Sequence, residues 1–217
     1  MSIIWSIVAI IIAYLFGSIP VGYIVARLYG VDVTASGSGR IGGTNVLRSA
    51  GVLAAGLTVL GDVMKGIIPI FFIQIVFDPL VVALAMPAAV LGHNFSIFLG
   101  FRGGVGAGTA IGTVSGVSFI AGFIVAVCGL IALAISRYAS ILSTSIAVSS
   151  VVLLIILAIV GRTPYEYILG AVLNLIIIVN ALRPNYARLR AGTERRVGKK
   201  AENIVKISPN GDSNEPG

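Results

Sequence analysis

Charge is scarce in this chain. Only 11% of its 217 residues are charged, while 57% are hydrophobic. A soluble globular domain carries about a quarter charged residues, so this composition belongs to the membrane class. There is a single cysteine, Cys128, and a single histidine, His93. One thiol excludes a disulfide framework and a thiolate zinc site. One histidine needs further ligands to hold a metal, and no carboxylate is close to it in sequence, so neither a metal nor a cofactor is expected. The G-x-x-x-x-G-K-[ST] phosphate loop is absent, which argues against ATP hydrolysis and kinase chemistry. No Ser–His–Asp set stands out. No internal repeat is visible, which counts against a transporter, although a small-anion carrier remains an alternative. The basic residues are not interleaved with aromatics and form no nucleic-acid module.

What is present is oil, punctuated by charge. The windows 2–26, 79–101, 103–136, 138–161 and 167–182 carry no charged residue. A further apolar stretch, 53–77, holds only Asp62 and Lys65. About 20 residues cross a bilayer core. The start lacks a positive n-region and its apolar run is too long for a cleaved signal peptide. As one helix the 34 residues of 103–136 would reach roughly 50 Å, too long for one crossing. They read as two helices, at about 104–117 and 118–136, which brings the expected total to seven transmembrane helices.

Lys and Arg set the orientation. Arg183, Arg188, Arg190, Arg195, Arg196, Lys199, Lys200 and Lys206 follow the last apolar window, which predicts a cytoplasmic C-terminus. Seven crossings then place the N-terminus outside. The loops at 27–50 and 92–103, and Arg137, fall inside with the tail. The net charge of +7 reflects this bias. The fold class expected is an all-α integral membrane protein with its site in glycine-rich cytoplasmic loops. One domain is expected over 1–200 and a polar tail over 201–217. The last ten residues, SPNGDSNEPG, read as disordered. The basic tail suits anionic headgroups, and no obligate protein partner is evident.

Three segments concentrate polar residues on the expected cytoplasmic side. The first is SGSGRIGGTNVLR, residues 36–48. Its glycines allow positive φ and a close backbone approach to a ligand. Successive N–H groups there suit an anion, Ser38, Thr44 and Asn45 add neutral donors, and Arg48 adds a planar fork. The second is GHNFSIFLGFRGGVGAGT, residues 92–109. Gly108, Gly112 and Gly116 are explained by close helix packing. Gly103 and Gly104 beside Arg102 are not. The third is NALRPNYARLRAGTE, residues 180–194, with Asn185, Arg188 and a lone acid, Glu194. Within the 53–77 stretch, Asp62 and Lys65 share a helix face and can pair. Two glycine-rich loops with Arg at a membrane surface point to a small phosphorylated ligand.

These segments resemble the bacterial acyl-phosphate:glycerol-3-phosphate acyltransferase family. The first matches the family pattern S-G-S-G-N-x-G-A-T-N-x-x-R at Ser36, Gly37, Ser38, Gly39, Gly42, Thr44, Asn45 and Arg48. The second matches at Gly92, His93, Phe98, Phe101, Arg102, Gly103, Gly104, Gly106 and Thr109. Asp62, Lys65 and Gly66 match a D-x-x-K-G element. Asn185, Arg188, Gly192, Thr193 and Glu194 match the tail motif. The resemblance implies transfer of a fatty acyl group from acyl phosphate to the 1-hydroxyl of glycerol 3-phosphate, giving lysophosphatidic acid and phosphate at the cell membrane. It implies substrate contacts from Ser38, Gly39, Arg40, Gly42, Thr44, Asn45, Arg48, Arg102, Gly103, Gly104, Asn185, Arg188 and Glu194. His93 becomes a base or an orienter, and Asp62–Lys65 a supporting pair. Val105 stands where the family has Lys, Leu182 where it has His, and Arg40 where it has Asn. Arg40 is expected to supply the charge that Val105 lacks. A weakly active relative that only binds phosphorylated lipid precursors is the alternative these departures allow.

Overall fold

The computed structural model describes residues 2–198, 201 and 203–207. Those residues are helical, with isolated bridges and no regular strand among them. The elements are α1 (Ile3–Ser18), α2 (Val21–Leu28), α3 (Gly43–Ala50), α4 (Val52–Val76), α5 (Pro79–Asn94), a 3₁₀ turn (Ile97–Leu99), α6 (Ala107–Val117), α7 (Phe119–Ser136), α8 (Ala139–Ile159), α9 (Glu166–Ala181) and α10 (Arg183–Arg190).

Backbone chemistry sets the breaks. Pro20 has no N–H, so α1 stops and α2 restarts beyond it. Gly51, at φ 93°, separates α3 from α4. Ser118 ends α6 and caps α7 by accepting from Ala121 N. The apolar stretch 103–136 is thus two helices, divided where the sequence suggested. Pro184, in the first turn of α10, follows a 55° bend from α9.

Four segments are long and apolar enough to cross a membrane: Ile3–Leu28, Val52–Val76, Phe119–Ser136 and Ala139–Ile159. The bent pair α9–α10 is a fifth. The other two expected crossings are shorter: α5 has 16 residues and α6 has 11. The outer surface is broadly apolar, with Phe119 74%, Ile135 81% and Ile159 70% exposed. In water such a surface would aggregate, whereas in lipid it is solvated.

Between apolar helices in lipid no hydrophobic drive remains, so small residues and close approach do the packing. A Cβ on Gly17 would run into the Ala89 carbonyl, and one on Gly92 into the Tyr14 carbonyl, so α1 and α5 touch backbone to backbone. Gly66 and Gly112 do the same for α4 and α6. Buried polar links cross between helices: Asn174 Nδ2 donates to Thr113 Oγ1 and Gln74 Nε2 to the Gly116 carbonyl. Ile70, Met86, Val90, Val114, Leu154 and Ile178 fill the centre.

The tail expected from residue 201 is in part ordered against the body. Asp32 N donates to Val205 O, Val205 N to Ser36 Oγ, and Ile207 N to Gly30 O. Residues 208–217 lie outside the described residues.

Gly17→Val should lower the thermal midpoint in detergent by several degrees, because overpacking costs about 1–3 kcal/mol. Gly56→Ala, where a Cβ meets nothing within 4 Å, should leave the midpoint unchanged or raise it. Equal midpoints for the two variants would contradict the α1–α5 contact.

Candidate active site at one end of the bundle

The loop after α2, the turn after α5 and the segment after α9 meet at one end of the bundle. The first is held by Asn45, which is 3% exposed. Its Nδ2 reaches the Val33, Ser36 and Arg40 carbonyls at 3.1, 3.0 and 2.8 Å, and its Oδ1 accepts from Ser38 N at 2.9 Å. Expected as a ligand contact, Asn45 instead has its amide engaged in shaping the loop. Ser36, also buried, donates to the Asp32 carbonyl and accepts from Val205 N. These ties leave Ser38 and Gly39 exposed, and Gly42 and Thr44 half-buried at the start of α3. Gly42, at the N-cap, has no side chain with which to cap that helix.

The second segment closes over His93. Gly104 N donates to the His93 carbonyl, and a Cβ on Gly104 would strike His93 Nε2. A Cβ on Gly103 would strike the His93 carbonyl. Here the glycines are required by close approach rather than by turn geometry. His93 is 2% exposed, and its Nδ1 is 3.4 Å from Asp62 Oδ1. Lys65 Nζ is 2.9 Å from the same oxygen and donates at 2.8 Å to the Ile19 carbonyl, at the break before Pro20. The carboxylate missing from the sequence neighbourhood of His93 therefore arrives from α4. Arg102 is exposed.

The third segment joins the first. Arg40 Nη1 donates to Asn185 Oδ1 and its Nη2 to the Ala181 carbonyl. Asn185 Nδ2 donates to Glu194 Oε1, and Arg188 Nε donates to Glu194 Oε2, both at 2.8 Å. Burial, then the neighbouring Arg188, pushes the Arg40 guanidinium below its ordinary value, against the pull of Glu194. Arg40 is expected to supply the charge that Val105 lacks; its own hydrogen bonds run to the end of α9 and the segment after it. Arg40 reaches the end of α9, one residue from Leu182, whose side chain is sealed in the core at 1% exposure. Val105 packs half-buried against that core. Arg40 thus ends beside position 182, where this chain has Leu.

Arg48 lines a cleft of about 400 Å³ together with Gly37, Tyr138, Glu194, Arg195 and Asn203. Burial, then Arg195, pushes its guanidinium below the ordinary value, against the pull of Glu194. Two residues outside the expected set of substrate contacts stand out. Asn94 is 7% exposed with both amide atoms unpartnered, and the Thr109 hydroxyl is buried without a partner. Asn94 Oδ1 sits 2.7 Å from where a Gly106 Cβ would be, at the N-terminus of α6. An Asn directly after the lone His was a usable signal. For Thr109 the motif supplied one.

Fold and loop end together define an integral membrane enzyme whose polar groups gather at one end of an apolar bundle. The chain belongs to the glycerol-3-phosphate acyltransferase family, whose model matches residues 7–192. It is 38% identical to glycerol-3-phosphate acyltransferase 2 of Moorella thermoacetica, over 90% of this chain and 99% of that one. It is 42% identical to the Geobacter sulfurreducens glycerol-3-phosphate acyltransferase, over 85% and 94%. The fold is similar, at a TM-score of 0.81 and 34% identity, to the crystal structure of PlsY (YgiH), an integral membrane glycerol 3-phosphate acyltransferase, in its glycerol 3-phosphate form. That match covers 89% of this chain and 96% of the other. The lysophosphatidic acid form gives a TM-score of 0.79.

Asp62→Asn should strand Lys65 as an unpaired buried charge and cost about 3–5 kcal/mol, read as lost thermal stability in detergent. Asp62→Asn combined with Lys65→Met should recover part of that loss. A double variant no better than the single one would show that the pair is not coupled.

Proposed function

We propose that this protein transfers a fatty acyl group from acyl phosphate to the 1-hydroxyl of glycerol 3-phosphate, releasing lysophosphatidic acid and phosphate. The observation that carries the reading is the convergence of Arg40, Arg48, Arg188 and two glycine-rich loops at the end of an apolar bundle. Both substrates bear a phosphate, and the donor also bears a chain that dissolves between helices. An acyl phosphate is already activated. The protein has to position two anions and stabilise the oxyanion with backbone N–H groups, with no protein nucleophile required. In this reading Arg48, Ser38, Gly39, Gly42 and Thr44 hold one phosphate. Arg102, Gly103, Gly104, Asn94, Thr109 and the first N–H groups of α6 face the other. Asn185, Arg188 and Glu194 position Arg40. His93 orients the Gly103–Gly104 backbone from below, and the proton of the attacking hydroxyl leaves to substrate phosphate or solvent.

The same reading takes the chain across the cytoplasmic membrane seven times, with the N-terminus outside and the loop end in the cytoplasm. Supporting it, Arg27, Arg48, Arg102, Arg137, Arg183 and Arg196 all fall in or beside the segments that form the loop end, while Arg162 lies at the turn between α8 and α9.

Purified protein given acyl phosphate and glycerol 3-phosphate should produce lysophosphatidic acid, and wild type without turnover would leave only the binding role. Arg48→Ala should lower turnover by tens- to thousands-fold, since losing one partner of a buried charged contact costs about 2–5 kcal/mol. Near-normal turnover in that variant would remove Arg48 from the site. In a Cys128→Ser background, Ser38→Cys and Ala191→Cys should react with an impermeant thiol reagent only from the cytoplasmic face, and Arg162→Cys only from outside. Opposite faces for the first two would end both the seven-crossing topology and the shared site.

A further inference from the structure

The family model stops at residue 192, and the chain continues. Beyond it, residues 193–207, as far as they are described, run back over the first glycine loop. Ala201 N donates to the Arg48 carbonyl, Gly37 N to the Asn203 carbonyl, and Val205 N to Ser36 Oγ. Val31 and Lys206 form an antiparallel bridge, flanked by the bonds from Asp32 N to Val205 O and from Ile207 N to Gly30 O. A second anchor lies at the α7–α8 turn, where Val197 N donates to the Arg137 carbonyl and Arg196 lies over the Tyr138 ring.

The decisive contact is at Arg48. Its Nη2 donates to the Arg195 carbonyl at 3.0 Å and the Arg196 carbonyl at 3.4 Å, while its Nε is buried without a partner. Two neutral carbonyl oxygens thus hold one edge of a guanidinium, where a tetrahedral anion would offer charged oxygens to the whole fork. The carbonyls engage only Nη2 and bring no net charge. A phosphate would bind better, and it has to displace them.

We propose that residues 195–198, 201 and 203–207 form an autoinhibitory strap whose Arg195 and Arg196 carbonyls occupy Arg48, and which glycerol 3-phosphate displaces by competing for that guanidinium. This rests on the reading of Arg48 as the ligand of substrate phosphate. The strap lowers apparent affinity by the fraction of molecules in which Arg48 is covered. It also raises the threshold for bare anions, because a ligand that makes further contacts in the loop recovers more than it displaces.

Proline removes a backbone donor without adding a charge. The double variant Val205→Pro, Ile207→Pro deletes two of the pinning N–H groups while leaving Arg48 and the loop sequence unchanged. Its KM for glycerol 3-phosphate should fall by about three- to tenfold at constant kcat, the equivalent of losing one ordinary hydrogen bond. A raised KM would make the strap part of the binding site and overturn the proposal, as would an unchanged KM. A readout independent of turnover uses Val205→Cys in a Cys128→Ser background, purified in detergent. Labelling of that thiol by a maleimide should speed up several-fold on adding glycerol 3-phosphate and stay unchanged with glycerol. A rate indifferent to glycerol 3-phosphate would sink the strap even in an active enzyme. Faster labelling in a protein that transfers no acyl group would keep the strap and defeat only the proposed reaction.

Discussion

Everything at the loop end hangs on one buried carboxylate. Asp62 Oδ1 is the point where Lys65 and His93 meet, and each of the three is at most 3% exposed. Charges in such surroundings persist only when paired, since an isolated ion would cost several kcal/mol. Lys65 ties this centre to the Ile19 carbonyl, which also accepts from Val21 N in the break between α1 and α2. His93 ties it to the Gly103–Gly104 backbone. A single oxygen thereby links the break that Pro20 makes in the first span, α4, α5 and the floor of the second glycine loop.

Around that floor the polar residues divide into those that build and those left free. Asn45, Ser36, Asn185 and Glu194 have their side-chain groups engaged with neighbouring loop or tail atoms. Asn94 and Thr109 are left with unpartnered buried atoms. Native proteins rarely leave such atoms without a reason, and a polar substrate is an economical one. Arg40 belongs to the builders. It reaches the end of α9 beside Leu182, so two departures from the family pattern, remote in sequence, meet in space.

Much of this was legible before folding. Absence of charge marked the apolar helices, and the length of the 103–136 stretch demanded a break. The three polar segments stood out because glycine, Arg and amide residues are rare between apolar runs. What stayed hidden is contact between segments. His93 and Asp62 lie in different apolar runs, and no local spacing joins them. Asn45 sits in a motif that reads as ligand-binding, yet hydrogen-bond geometry gives its amide to the loop. Leu182 read only as a departure from the family His, because sequence shows identity and not orientation. Residues 201 and 203–207 read as part of a polar tail because backbone pairing needs no sequence signature beyond the absence of proline.

The shortness of α6 has a consequence for the membrane itself. Eleven residues rise about 16 Å, roughly half the thickness of a hydrocarbon core. A helix of that length cannot hold both its ends in headgroups. If the Ser118 end sits near the far headgroups, the end carrying Gly106, Asn94 and Thr109 lies well below the near surface, at the bottom of a dent. A water-soluble phosphate ester would then descend into the leaflet, and the fatty chain would never be lifted out of it. The newly acylated lipid would be formed already at its resting depth and leave sideways.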